Sequence, residues 1–181
     1  MSFYNHTISR VMDLAAIIRT IPDFPKPGIQ FKDIESITEN PEAFRYVIDS
    51  FSDKVQELKV DKLLVLDARG FLFGAAIGYK EGLPIVMARK KGKLGGETVT
   101  ESYSLEYGDA TVELQKTAIS KGDRVAIIDD LLATGGTASA ASSLIEKLDA
   151  HVVLCAFVIE LDALNGRLQL PDSEVHSLVH F

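Results

Sequence analysis

Cysteine is nearly missing from this 181-residue chain: Cys155 stands alone inside the apolar run VVLCAFVI, so no disulfide framework exists and a buried, inert thiol is expected. No apolar run approaches membrane-spanning length, and MSFYNHTISR lacks a charged segment followed by an apolar one; a cytoplasmic protein is expected. Positive charge is the minority, with 19 Lys and Arg against 26 Asp and Glu and a net charge of −7, which argues against a general nucleic-acid binder. The four histidines, His6, His151, His176 and His180, are scattered. His176 and His180 are four apart, but VHSLVHF reads as a terminal strand rather than a helical metal pair. Neither G-x-x-x-x-G-K-[ST] nor G-x-G-x-x-G occurs, which excludes the two common nucleotide-loop signatures.

What is present suits one well-filled domain: 46% of the residues are hydrophobic. Apolar positions at Ile8, Val11, Met12, Ala15 and Ile18 predict a first helix, capped by Asn5 or Thr7 and ended by Pro22. FPKPG, residues 24–28, reads as an ordered loop, and Asn40-Pro41 as a cap and first-turn proline opening a helix whose apolar face holds Phe44, Val47, Ile48, Phe51 and Val55. KLLVLD, PIVMARK, RVAIID and VVLCAFVIEL then read as strands. LFGAAIGYKEG and Thr137 to Leu148 read as the helices between them. Residues 91–115, glycine-dotted and then alternating, predict a mobile arm leading into a hairpin. Strands alternating with helices imply a mostly parallel α/β sheet, with ligands beyond the carboxyl ends of its strands.

One such end carries the strongest signal, RVAIIDDLLATGGTASAA. Thr134-Gly135-Gly136-Thr137 falls between a strand and a helix start, where unpaired N–H groups and the helix dipole favour a dianion and glycines let the backbone close round it. An ordinary turn is the competing reading. Asp129 and Asp130 just before it would repel a wholly anionic ligand. They make sense beside a sugar whose hydroxyls donate to carboxylates, or beside Mg²⁺. A pentose 5-phosphate site is the reading that satisfies both halves. On the same rim, at another strand end, lie Asp67-Ala68-Arg69-Gly70, and the cations gather locally at Arg89-Lys90-Lys91 with Lys93. An ion pair for Arg69 and a solvated basic run are the alternatives there.

VAIIDDLLATGGT resembles the phosphoribosyl pyrophosphate signature of the type I phosphoribosyltransferases, and together with it FPKPGIQFKDI, ARGFLFG, RKKGKL and SYSLEYG, running in the expected order from about Phe24 to Ala141, resemble the adenine-specific branch. The resemblance implies a twisted, mostly parallel sheet flanked by helices, as a single domain with a small N-terminal hood at about 1–35 and a flexible hairpin lid at about 91–117. It implies transfer of the 5-phosphoribosyl group to adenine, giving AMP and pyrophosphate with Mg²⁺, in a homodimer. By the same resemblance Ala133, Thr134, Gly135, Gly136 and Thr137 bind the 5-phosphate and Asp129 and Asp130 the ribose. Asp67, Ala68, Arg69, Gly70, Arg89, Lys90 and Lys93 bind pyrophosphate, Gln30 and Phe31 adenine, and Glu106 is the acid/base near the purine. No side chain is assigned as a direct metal ligand. The chain departs from the family pattern at Gln30, usually apolar, and in Leu94-Gly95-Gly96, where a proline often follows the leucine. Rival readings are a phosphoribosyltransferase for xanthine, guanine or orotate, a non-catalytic regulator that senses phosphoribosyl pyrophosphate, and a nucleotide-binding domain without turnover.

Overall fold

The computed structural model describes residues 12–104 and 109–181. The chain forms two compact units, Met1–Tyr46 and Val47–Phe181.

In the first unit, helix α1 (Leu14–Ile17) is a single turn capped by Asp13, whose Oδ1 accepts from the Ala16 N–H at 3.2 Å. The longer first helix expected to run towards Pro22 is corrected: the chain leaves α1 at Ile18 and becomes strand β1 (Arg19–Pro22), antiparallel to β2 (Gln30–Asp33). Thr20 and Ile21 are β-branched and favour the extended form, and Pro22 is the last residue of the strand rather than a helix stop. Ile8, Asn5 and Thr7 lie outside the described residues. Arg19 ties the ribbon to the following turn, α2 (Glu35–Thr38), by pairing with Asp33 at 2.7 Å and Glu39 at 2.9 Å. Asn40 caps α3 (Pro41–Glu57), its Oδ1 accepting from the N–H groups of Glu42 and Ala43, both at 3.1 Å.

The second unit is built on a seven-stranded sheet ordered β5-β6-β4-β3-β7-β8-β9. Its strands are β3 (Lys62–Leu66), β4 (Ile85–Lys90), β5 (Thr98–Ser104), β6 (Asp109–Gln115), β7 (Arg124–Leu132), β8 (His151–Glu160) and β9 (Glu174–His180). β4, β3, β7, β8 and β9 run parallel, while β6 joins β4 antiparallel and forms the hairpin with β5. The middle strands are apolar without alternation because both faces are covered: Leu63 to Leu66, Val125 to Ile128 and Leu154 to Ile159 are all buried. Helix α4 (Gly70–Glu81) packs on β3 and β7, and α5 (Gly136–Glu146) on β7, β8 and the hairpin. Gly82, at φ +67°, ends α4 in the left-handed cap, and the Leu83 N–H then returns to the Gly78 carbonyl at 3.0 Å. Close approach of α4 to the sheet requires Gly74, where a Cβ would stand 2.0 Å from Val65 Cγ1. Among the described residues no helix is long and apolar enough to cross a membrane.

Candidate active site

The acidic pair and the glycine-threonine turn occupy the carboxyl end of β7, next to the end of β3 where residues 67–70 lead into α4. The strand runs further than its apolar core predicts. It carries Asp129 and Asp130 within its ladder and ends only at Leu132, because β8 continues to pair through Leu132 and Glu160. Alternation then separates the two acids: Asp130 is buried and Asp129 half-buried. Asp129 Oδ1 accepts from the Asp130 N–H at 2.9 Å. Burial, and then the neighbouring charge of Asp130, push the Asp129 carboxyl well above the usual carboxylate range.

Residues 133–135 turn sharply, and α5 starts at Gly136. Gly135 sits at φ +83°, a left-handed conformation suited to glycine, and provides no side-chain cap for the first-turn N–H groups. They border a cradle of about 90 Å³ lined by Asp129 and residues 131–138. Beside it lies a hollow of about 560 Å³ that brings together Asp67, Arg89, Lys90, Lys91, Tyr103 and Thr137. Asp67 of the 67–70 loop, residues 89–91 of the basic run and the last threonine of the turn, far apart in sequence, thus line one space.

Arg69 bonds Asp130, Nε donating to Oδ2 at 2.6 Å, so its ion-pair reading holds with the twist that the partner is the buried acid of the pair itself. Arg89 donates to Asp67 Oδ2 at 3.2 Å and lies 5.8 Å from the Phe71 ring centroid. Each guanidinium neutralises a rim carboxylate, which lowers the repulsion an incoming polyanion would meet. The peptide between Asp67 and Ala68 is cis. Gly70 presses against β7: a Cβ there would be 2.5 Å from the Ile128 carbonyl oxygen and 3.1 Å from Asp129 Oδ1. Lys90 is exposed at the end of β4 and Lys93 on the loop that follows, where the Lys93 N–H returns to the Lys90 carbonyl at 3.2 Å.

Three groups escaped the sequence reading. Glu113 on β6 is buried, accepting from the backbone N–H groups of Lys93 and Leu94 at 2.9 and 3.0 Å. Burial alone would raise its carboxyl, but the N–H groups of Leu94, Lys93 and Gly92 outweigh burial and hold it below its ordinary range. The signal was a lone charge between Val112 and Leu114, with all three buried. Tyr103 on β5 lies along Gly136 and accepts a hydrogen bond at its hydroxyl from Thr137 Oγ1 at 2.9 Å, while Lys147 of the α5 end pairs with Glu101. The hairpin is thereby seated on α5 along its described strands. The third group is Glu160, the last residue of β8, with Gly166 and Arg167 just after the strand in the stretch ELDALNGR.

Gln30 and Phe31 begin β2 in the first unit, Gln30 exposed and Phe31 half-buried with its ring edge-on to Phe24 at 5.1 Å. Glu106 lies outside the described residues. Glu160, Asp162 and His180 form a group with ligand atoms close enough for a metal ion, but Arg167 holds both oxygens of Glu160, at 3.0 and 2.6 Å. Cys155 is buried, as expected, and burial raises its thiol to about 11.

A strand-end glycine-threonine cradle with an acidic pair, on a parallel sheet carrying an antiparallel hairpin, defines a class of protein: the chain belongs to the phosphoribosyltransferases, whose phosphoribosyl transferase domain model matches residues 33–179. Its relatives narrow the class. The adenine phosphoribosyltransferase of Desulfosudis oleivorans is 46% identical over 94% of this chain and 98% of its own length. The solved structure of the adenine phosphoribosyltransferase of Thermoanaerobacter pseudethanolicus matches with a TM-score of 0.88 and 44% identity, covering 92% of this chain and 97% of that one. That of Saccharomyces cerevisiae, complexed with adenine and an imino-altritol bisphosphate, matches with a TM-score of 0.87 and 41% identity over 91% and 96% of the two chains.

Proposed function

We infer that the protein transfers the 5-phosphoribosyl group from 5-phosphoribosyl-1-pyrophosphate to adenine, forming AMP and releasing pyrophosphate. The observation that carries the reading is the junction of β7 and β3. There a phosphate-sized cradle, two carboxylates and an arginine-bearing loop meet at neighbouring strand ends, facing a hollow that holds Arg89 and Lys90. The bond from ribose C1 to pyrophosphate breaks to leave an oxocarbenium-like centre, which a base nitrogen attacks. The chain's tasks are to hold two reactants in line and to stabilise a departing polyanion.

In this reading Ala133 to Thr137 grip the 5-phosphate, and Asp129 and Asp130 accept from the ribose hydroxyls. Ionised Asp129 also favours positive charge at the sugar, and the hydroxyls that donate to it supply what its buried carboxylate lacks. The 67–70 loop, Arg89, Lys90 and Lys93 receive pyrophosphate. Gln30 and Phe31 hold adenine, and Glu106 moves the proton at the purine. The chain works as one transferase domain, with a hood at about 1–35 and a lid at about 91–117 that excludes water. Each rim carboxylate shares an oxygen with a guanidinium, Asp130 with Arg69 and Asp67 with Arg89. That leaves room for Mg²⁺ held chiefly by substrate oxygens, the usual habit of this ion, with the acidic pair as its neighbours. When bound it offsets charge on the phosphates. A homodimer working in the cytoplasm completes the reading.

Incubation with phosphoribosyl pyrophosphate, Mg²⁺ and one base at a time tests it. Adenine-dependent release of pyrophosphate with AMP is expected; no release, or release only with guanine, xanthine or orotate, overturns it.

A further inference from the structure

Behind the turn at 133–135 runs a second piece of backbone that no side chain separates from it. After β8 ends at Glu160, the Leu161 N–H still reaches the Leu132 carbonyl at 2.9 Å, and two 3-10 turns, Asp162–Leu164 and Gly166–Gln169, fold back across the base of the cradle. Gly166 is buried, and a Cβ on it would stand 2.2 Å from the Ala133 carbonyl oxygen and 3.0 Å from the Gly135 nitrogen. Reciprocally, a Cβ on Gly135 would stand 2.4 Å from the Gly166 carbonyl oxygen. The two glycines therefore lie against neighbouring backbone: a side chain on Gly135 would strike the Gly166 carbonyl, and one on Gly166 the Ala133 carbonyl.

The segment that brings Gly166 there is clamped at both ends. Arg167 donates through Nε and Nη2 to the two oxygens of Glu160, at 3.0 and 2.6 Å, and through Nη1 to the Val175 carbonyl at 2.9 Å. Glu160 is buried and also accepts from Ser177 Oγ at 2.6 Å. A planar fork matched to both carboxylate oxygens and a strand carbonyl fixes direction as well as distance, which an ammonium could not do. At the other end Leu170 is buried in the main apolar cluster.

We propose that Gly166, held by the Glu160–Arg167 fork, is a positioning residue for the reaction: it forms the rear wall that keeps the 133–135 backbone aimed at the sugar's 5-phosphate. The claim rests on the phosphate reading of that turn. A cradle made of backbone N–H groups has no rotamers to adjust, so its affinity depends on where the main chain is held, and a shift of about 1 Å at such a site costs up to about 10²-fold. A loosened wall weakens phosphate capture while leaving adenine and the chemical step nearly untouched.

The test measures steady-state kinetics and ribose 5-phosphate binding by calorimetry in wild type, Gly166→Ala, Arg167→Met, Arg167→Lys and, as a control in the same turn, Leu168→Ala, whose side chain is 75% exposed. The expected result is a rise of about tenfold or more in KM for phosphoribosyl pyrophosphate and in Kd for ribose 5-phosphate in Gly166→Ala and Arg167→Met. KM for adenine and kcat stay within about threefold, Arg167→Lys recovers part of the loss, and Leu168→Ala matches wild type. A variant that had merely lost folded molecules would show lower kcat at unchanged KM, and that pattern overturns the proposal, as does ribose 5-phosphate affinity equal to wild type. Failure of wild type itself to bind ribose 5-phosphate would instead sink the phosphate reading. Should Gly166→Ala not fold, the Met and Lys pair at Arg167 decides alone.

Discussion

Gly70→Ala is a stringent probe of whether the 67–70 loop and the acidic pair work as one unit. The added methyl would lie 2.5 Å from the Ile128 carbonyl oxygen, against about 3.4 Å for ordinary tight contact, so loop and strand must part by roughly 0.9 Å. The nearest atom is a strand carbonyl, which no rotamer change can move. On the proposed reading, in which these groups hold pyrophosphate and ribose together, displacement of that size lowers kcat/KM by about 10²-fold, or about 2.7 kcal/mol of transition-state stabilisation. Overpacking costs about 1–3 kcal/mol in folding, partly offset by the roughly 1 kcal/mol that alanine gains over glycine in a helix. The net loss is about 1 kcal/mol, or about 2–4 °C in Tm for a chain of this size. Adenine-dependent pyrophosphate release and a thermal melt read the two effects. Gly74→Ala supplies the contrast: its methyl meets Val65 Cγ1 at 2.0 Å, a clash inside the core, and should lower Tm more while sparing kcat/KM of the folded enzyme. If Gly70→Ala turned over within threefold of wild type with Tm unchanged, the loop would not be seated on Asp129 as described.

Asp129→Asn should abolish most turnover yet raise Tm at neutral pH, because burial and Asp130 hold the native carboxyl above its unfolded range. The folded state then binds its proton more tightly, so this group favours folding below the ordinary carboxylate range, and that favour is lost as pH rises through the raised folded value. The gap in Tm between Asn variant and wild type should therefore shrink as pH falls from 8 towards 4; a gap that widened would reverse the assignment. Glu113→Ala strands the N–H groups of Lys93 and Leu94 and should raise KM for pyrophosphate in the reverse reaction about tenfold, with an unaltered value arguing that the 92–94 loop needs no anchor. Cys155, buried with its thiol raised to about 11, should react with iodoacetamide at pH 8 only as fast as the protein unfolds, and rapid native labelling would contradict its burial.

The parallel sheet was legible because buried strands write themselves as unbroken apolar runs, and the cradle because glycine and threonine between a strand and a helix have few other uses. Asp129 and Asp130 stood out through adjacency alone. What sequence could not supply was the company each residue keeps. Arg69 looked outward on paper and bonds the buried Asp130 in the fold, since the partners are 61 positions apart. The first helix failed for a nearer reason: period alone extended it, whereas Asp13 caps it late and the β-branched Thr20 and Ile21 pull the chain into a ribbon. Gly166 shows the limit most sharply. A glycine followed by arginine in a polar stretch reads as an ordinary turn, and only the facing backbone of residues 133–135, above all the Ala133 carbonyl, turns its missing side chain into a requirement. On the proposed reading the motif residues carry the chemistry, while the backbone they depend on is held by Glu113, Arg167 and Gly166, whose sequence marks are a single buried charge and a single turn. Variants at those three positions therefore separate holding the substrate from transforming it.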